Sequence, residues 1–288
     1  MRRSAPVEGF SLAYDHRPGQ GRSVVLLHGW PGDRSDWRRV WPLLPDDVEI
    51  VAPDLRGFGQ SDKHALEPEG HYDAAAQARS VAGLIEELGN GPVVVGAYDI
   101  GSRTAQTLAA ARPDLVAGLV LSPPLPGAGE RILEPDVASE LWYYGFHRSG
   151  LAERLLDGDR ERVRDYLRDR WEHWSGPAFQ LSDADLEHLV DSYGQPGGFA
   201  ASIAWYRAGG GLIANSLTEH TPSPGERLTL PVRVLWQEFD PTFPRRFADR
   251  LDLFFCDVTV TRADGIGHFT PLEAPDAFAA LLTDLLAE

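Results

Sequence analysis

A chain of 288 residues with 43% hydrophobic content is long enough to bury one large core and still carry an insertion. A formal charge of −16, with Lys63 the only lysine, argues against a nucleic-acid partner, because such a surface repels a phosphate backbone. Cys256 is the only cysteine, which excludes an internal disulfide and a multi-cysteine metal site, and its setting in "DLFFCDVTV" predicts a buried, inert thiol.

The opening "MRRSAPVEGF" has two arginines but no apolar run behind them, and no later stretch approaches the roughly 18 apolar residues of a membrane span. A soluble, cytoplasmic protein with no membrane partner is therefore expected. Short apolar runs ending in Gly or Asp follow at 23–29, 48–54, 92–99, 115–123, 231–237 and 257–263, most of which read as parallel strands buried on both faces. Helical spacing over 75–88, 102–112, 244–252 and 274–287 alternates with them, the pattern of an α/β fold with a mostly parallel central sheet flanked by helices.

Between Pro123 and Pro231 the strand rhythm stops for about a hundred residues, too many for a plain loop. Spacing such as "SGLAERLLDGDRERVRDYLRDRWEHW" predicts amphipathic helices there. The expected organisation is a core of residues 1–124 and 222–288 with a helical cap, 125–221, inserted between two strands. No internal repeat is present.

The chemistry is concentrated at the carboxyl ends of the expected strands, where open α/β sheets bind ligands. In "GAYDIGSRTA" Asp99 ends an apolar run with Ala97 two residues before it and Gly101 two after, small neighbours that fit a sharp strand-to-helix turn presenting a nucleophile. A helix N-terminus would keep this carboxylate ionised. Alone, Asp99 also reads as an ordinary helix N-cap.

"LLHGWPGD" is a tight turn that aims a backbone N–H, that of Trp30, toward the elbow, where the N–H of Ile100 completes an oxyanion hole. Asp240 in "LWQEFDPTFP" and His268 in "GIGHFTPLEAP" follow later strands, in the chain order nucleophile, acid, histidine. Singly, Asp240 is more often a turn residue and His268 more often a surface or core histidine; together they form a set that chance explains poorly.

"HGWPGD", "DLRGFGQSDK", "YDIG", "WQEFDPTFP" and "GIGHFTPLEAP" together resemble the successive motifs of the epoxide hydrolase and haloalkane dehalogenase branch of the α/β hydrolases, over nearly the whole chain. Catalysis without metal or cofactor is what that resemblance implies. An aspartate nucleophile suits displacement at a saturated carbon, giving an ester of Asp99 that water, activated by His268 and oriented by Asp240, then hydrolyses.

In the cap, "ELWYYGFHRSGLAE" and "IAWYRAGG" are similar to the segments from which microbial epoxide hydrolases present two lid tyrosines. Residue-by-residue alignment selects Tyr143 and Tyr206 as acids for the epoxide oxygen, with Tyr144 competing if the register is off by one. Packing of the cap on the sheet is the other reading of these aromatics. His28, Pro31, Trp142 and Tyr144 are the expected pocket walls, and His173 and Trp174 are read as packing residues.

The leading expectation is thus an epoxide hydrolase taking a small substrate, an apolar or aryl epoxide, and water. Dehalogenation comes second, because Ile100 stands where haloalkane dehalogenases usually carry a halide-binding tryptophan, although the Trp30 indole N–H offers a substitute. Fluoroacetate dehalogenases, which the chain also resembles, commonly carry arginines one and four residues after the nucleophile; only the latter is present, as Arg103, for which pairing with a nearby carboxylate is the preferred reading. A non-catalytic binding protein is third, and a homodimer is left open.

Overall fold

The computed structural model describes residues 1–89, 91–209 and 212–288. Eight strands form one sheet: β1 (Arg2–Arg3), β2 (Ala13–Arg17), β3 (Ser23–Leu27), β4 (Glu49–Pro53), β5 (Val93–Ala97), β6 (Val116–Leu121), β7 (Leu228–Gln237) and β8 (Phe255–Ala263). Their spatial order is β1-β2-β4-β3-β5-β6-β7-β8, antiparallel from β1 to β4 and parallel from there on.

The six parallel strands are the six apolar runs. β3, β4 and β5 are buried at every position, as Val- and Ile-rich strands covered on both faces must be. Helix α1 (Ala74–Leu88), with Asp73 accepting from the Ala76 N–H as its cap, packs beside α2 (Ile100–Ala111) on one face. The last helix, Pro275–Ala287, crosses the other face, where glycines at 96 and 118 leave room for Leu282 and Leu285.

Two expectations need correction, and one edge of the sheet has no signal in the sequence. The hairpin-like edge β1–β2 carries mixed polar residues and has no apolar run to betray it. Residues Arg245–Leu253 wind as 3-10 turns rather than an α-helix, burying Phe247 and Leu251. Strand β8 is an edge strand with most of its residues at least partly exposed, so Cys256, on its open side, is exposed rather than buried.

Between β6 and β7 the described residues contain only helices and turns, among them Trp142–Arg148, Arg160–Trp174, Asp183–Tyr193 and Ala204–Arg207. This helical segment lies over the carboxyl ends of the central strands: Trp171 donates from its indole N–H to the Pro31 carbonyl at 3.1 Å, and Tyr193 to that of Gly32 at 2.8 Å. Among the described residues no helix is long and apolar enough to cross a membrane.

Candidate active site

Strand β5 passes into α2 through Asp99, which has φ 51° and ψ −127°. A non-glycine residue at positive φ stores backbone strain of order 1–3 kcal/mol, and such strain persists only where neighbours over-determine it. Here the Asp99 N–H donates to the Pro123 carbonyl at 3.1 Å, and the buried Ser102 hydroxyl donates back to Ala97 O at 3.0 Å. Gly101 is required because a β-carbon there would stand 2.6 Å from the His28 carbonyl oxygen.

The turn after β3 supplies the second wall. The Trp30 N–H donates to Asp99 Oδ1 at 2.7 Å, and the Ile100 N–H is directed at the same carboxylate. Burial is the largest influence on the Asp99 carboxyl and pushes its pKa above the usual carboxylate value, against the pull of His268 and the two N–H groups. The backbone donors therefore offset part of the cost of burial without cancelling it.

Asp240, just past β7, is buried and accepts from the Thr242 N–H at 2.8 Å, the Thr242 hydroxyl at 2.6 Å and Gln237 Nε2 at 2.6 Å. Burial works against its charge, but His268 and these donors bring its pKa down to about 2. His268, in the loop after β8, places Nδ1 2.8 Å from Asp240 Oδ2. Asp240 accepts only, so the proton sits on Nδ1, and Nε2 faces Asp99 Oδ2 at 3.6 Å with no hydrogen bond of its own. Burial disfavours the imidazolium, yet the charges of Asp240 and Asp99 raise its pKa to about 9.

Tyr143, Tyr144 and Tyr206 meet above this cluster, with ring centroids 4.8 Å apart for 143 and 144, 5.9 Å for 143 and 206, and 5.0 Å for 144 and 206. Burial and then the Asp99 charge raise the pKa of Tyr144 and Tyr206, whereas for Tyr143 the other two tyrosines outrank Asp99.

Two of the expected pocket walls, His28 and Trp142, lie elsewhere. His28 is fully buried, its Nδ1 2.9 Å from the Gly29 carbonyl and its Nε2 accepting from the Leu55 N–H at 3.0 Å, so it braces two loops rather than walling a pocket. Trp142 is 51% exposed with Arg170 stacked over its ring, on the outside of the helical segment. Pro31 is buried under Trp171. The Trp30 indole N–H lies 3.4 Å from the Ser202 hydroxyl and is not aimed at Asp99. His173 pairs with Glu140 at 2.6 Å on the surface, while Trp174 packs 5.2 Å from the His268 ring. Thr242 and Gln237 were not singled out in the sequence, though "DPT" is the signature of a side chain folding back on the backbone two residues on.

Residues 22–275 match the family model described as the alpha/beta hydrolase fold. The chain belongs to that family. Among curated relatives of this α/β hydrolase, a soluble epoxide hydrolase of Corynebacterium sp. (strain C12) is 29% identical, covering 94% of this chain and 92% of the relative. A fluoroacetate dehalogenase of a Burkholderia species is 29% identical over 67% of this chain and 64% of its own length. The structure of a Bacillus megaterium epoxide hydrolase superposes with a TM-score of 0.85 over the full length of both chains at 22% identity, a likeness of fold.

Proposed function

We propose that this α/β hydrolase opens an epoxide to a vicinal diol through an alkyl ester on Asp99. The observation that carries the reading is the gathering of tyrosines within the field of a strained, part-buried aspartate that is also served by two backbone donors and a histidine–aspartate pair. Residues 125–221 act as the cap that presents those tyrosines to the core formed by 1–124 and 222–288.

Asp99 Oδ2, the oxygen not held by Trp30, attacks an epoxide carbon. The carbon–oxygen bond breaks, and the departing oxygen takes the proton of Tyr144 or Tyr206, because an alkoxide is far more basic than a phenolate. Esterification cancels the Asp99 charge, one of the charges that holds a proton on His268, so the imidazolium gives up its proton more readily after the first step and stands neutral, able to accept one from water. The proton it sheds turns the tyrosinate back into tyrosine.

Water then adds to the ester carbon as Nε2 takes its proton, and the Trp30 and Ile100 N–H groups hold the charge that gathers on Oδ1. Collapse releases the diol, whose oxygen takes the proton from His268, and the acid left on Asp99 passes its proton back to the imidazole. The kinship with a soluble epoxide hydrolase supports the same reading.

The test is the mass of His268→Gln after incubation with an aryl epoxide. An adduct equal to the whole epoxide, absent from the turning-over wild type, is expected; no adduct under the same conditions would sink the two-step scheme.

One observation favours a second reading, displacement of halide from a small halogenated acid. Arg103, one turn along α2 from Asp99, has Nε and Nη2 buried without a hydrogen-bond partner, and the charges it feels are those of Glu219 and Tyr144. Halide release without diol formation across a panel of epoxides, haloalkanes and fluoroacetate would select this alternative.

A further inference from the structure

Glu273 lies five residues after His268, at the end of the short helix Thr270–Glu273. Its carboxylate has three backbone donors: Gly267 N–H at 2.8 Å and Gly176 N–H at 2.8 Å on Oε2, and Phe269 N–H at 3.0 Å on Oε1. Gly267 and Phe269 flank His268, while Gly176 belongs to the helical segment, just past the helix Arg160–Trp174.

The junction is closed at a second point, where the His268 N–H donates to the Trp174 carbonyl at 2.8 Å. The two backbones touch: a β-carbon on Gly176 would lie 2.8 Å from the Gly267 nitrogen, and one on Gly267 would collide with Gly176 in turn. Burial raises the Glu273 pKa, and the three donors on its two oxygens pull it back toward the ionised acid, which accepts only.

We propose that Glu273 is a positioning residue for His268, clamping backbone 174–176 of the helical segment to both peptide groups beside the imidazole and adding its negative charge to the field on that ring. This rests on the assignment of His268 as the base. The charged groups facing the imidazole are Asp240 at 2.8 Å, Asp99 at 3.6 Å and Glu273, and the aromatic faces of Trp174, Tyr98 and Phe269 close the remaining sides. Glu273 raises the proton affinity of the ring, as the other two do. Segment 174–176 and the histidine loop are therefore joined, and ester hydrolysis, which uses the imidazole directly, feels loosening of that segment more than attack by Asp99 does.

The test uses the full-length enzyme with Glu273→Gln and Glu273→Asp, and its first readouts need no substrate. In Glu273→Gln the His268 titration midpoint, followed by NMR of the ring, is expected to fall. Amide exchange at 176, 267 and 269 is expected to quicken by roughly tenfold or more, the loss of charge-assisted hydrogen bonds. Glu273→Asp keeps the charge but falls short of the three donors, so exchange should quicken while the midpoint stays nearly in place; if the glutamine variant does not fold, this variant carries the test.

With an epoxide, ester hydrolysis should slow by about tenfold or more in either variant, with ester formation changed less than about twofold. Unchanged exchange and an unchanged midpoint in folded Glu273→Gln, unchanged exchange in Glu273→Asp, or equal slowing of both steps would overturn the proposal. Should no ester form even in the wild type, the epoxide reading fails while titration and exchange still decide the clamp.

Discussion

Gly29 and Asp99 touch: a β-carbon added to Gly29 would stand 2.6 Å from the β-carbon of Asp99 and 2.7 Å from the Tyr98 ring. The glycine of the turn after β3 is there because the candidate nucleophile fills the space a side chain would need. Gly29→Ala must displace Asp99 from its two N–H donors, at an overpacking cost of about 1–3 kcal/mol. Turnover is expected to fall by about 10² or more, the usual cost of an oxyanion donor, while circular dichroism still reports a folded protein. Wild-type kinetics in this variant would refute the close contact.

The His268 proton ties stability to pH. Its folded pKa, about 9, lies above the ordinary 6.5, so its contribution is complete below about pH 6.5 and is lost as pH rises through 9. Denaturant melts of wild type and His268→Gln should therefore differ most at pH 6 and converge by pH 10. At the other end Asp240, lowered from 3.8 to about 2, contributes above pH 3.8 and loses that contribution as pH falls through 2. A constant gap between the two proteins from pH 6 to pH 10 would contradict the assignment.

Tyr144, rather than Tyr143, is expected to share the acid role with Tyr206, because Asp99 is the leading charge on those two hydroxyls. In single-turnover experiments Tyr144→Phe and Tyr206→Phe should each slow ester formation by about 10². Tyr143→Phe should act weakly, because it keeps the ring that packs against Tyr144 at 4.8 Å. Equal effects at 143 and 144 would remove the distinction.

Arg103 carries a charge that burial disfavours and no hydrogen bond to Nε or Nη2. Replacing it with methionine should leave the melting temperature unchanged or higher, since exchanging a poorly compensated buried charge for an apolar chain is commonly neutral or stabilising. If the enzyme takes carboxylate substrates, the same change raises KM for them and leaves neutral epoxides alone. A large drop in melting temperature would mean that the arginine is structurally paired.

The parallel strands could be read because burial on both faces demands continuous apolar runs, and Asp99, Asp240 and His268 because each sits where such a run ends. What escaped depended on which neighbour covers a position. Cys256 reads as buried from its flanking "FF", yet β8 has no strand beyond it. Trp142 and Tyr144 were offered as pocket walls together, but on the helix Trp142–Arg148 each residue turns by about 100° from the last, and this rotation sends Trp142 outward. Thr242, Gln237 and Glu273 act through backbone geometry and short polar contacts that no periodicity announces.

Trp30 offers its backbone N–H to Asp99, while its ring is walled by Tyr143, His147, Tyr166, Trp174 and Tyr206, all drawn from the segment between β6 and β7. Protein engineers who graft a foreign insert onto this sheet to redirect specificity would, in the same stroke, replace the seating of that donor. A chimera inherits the parent's chemistry only if its new insert rebuilds that aromatic chamber, so inserts are better screened first for their fit around residue 30 and only afterwards for the substrates they admit.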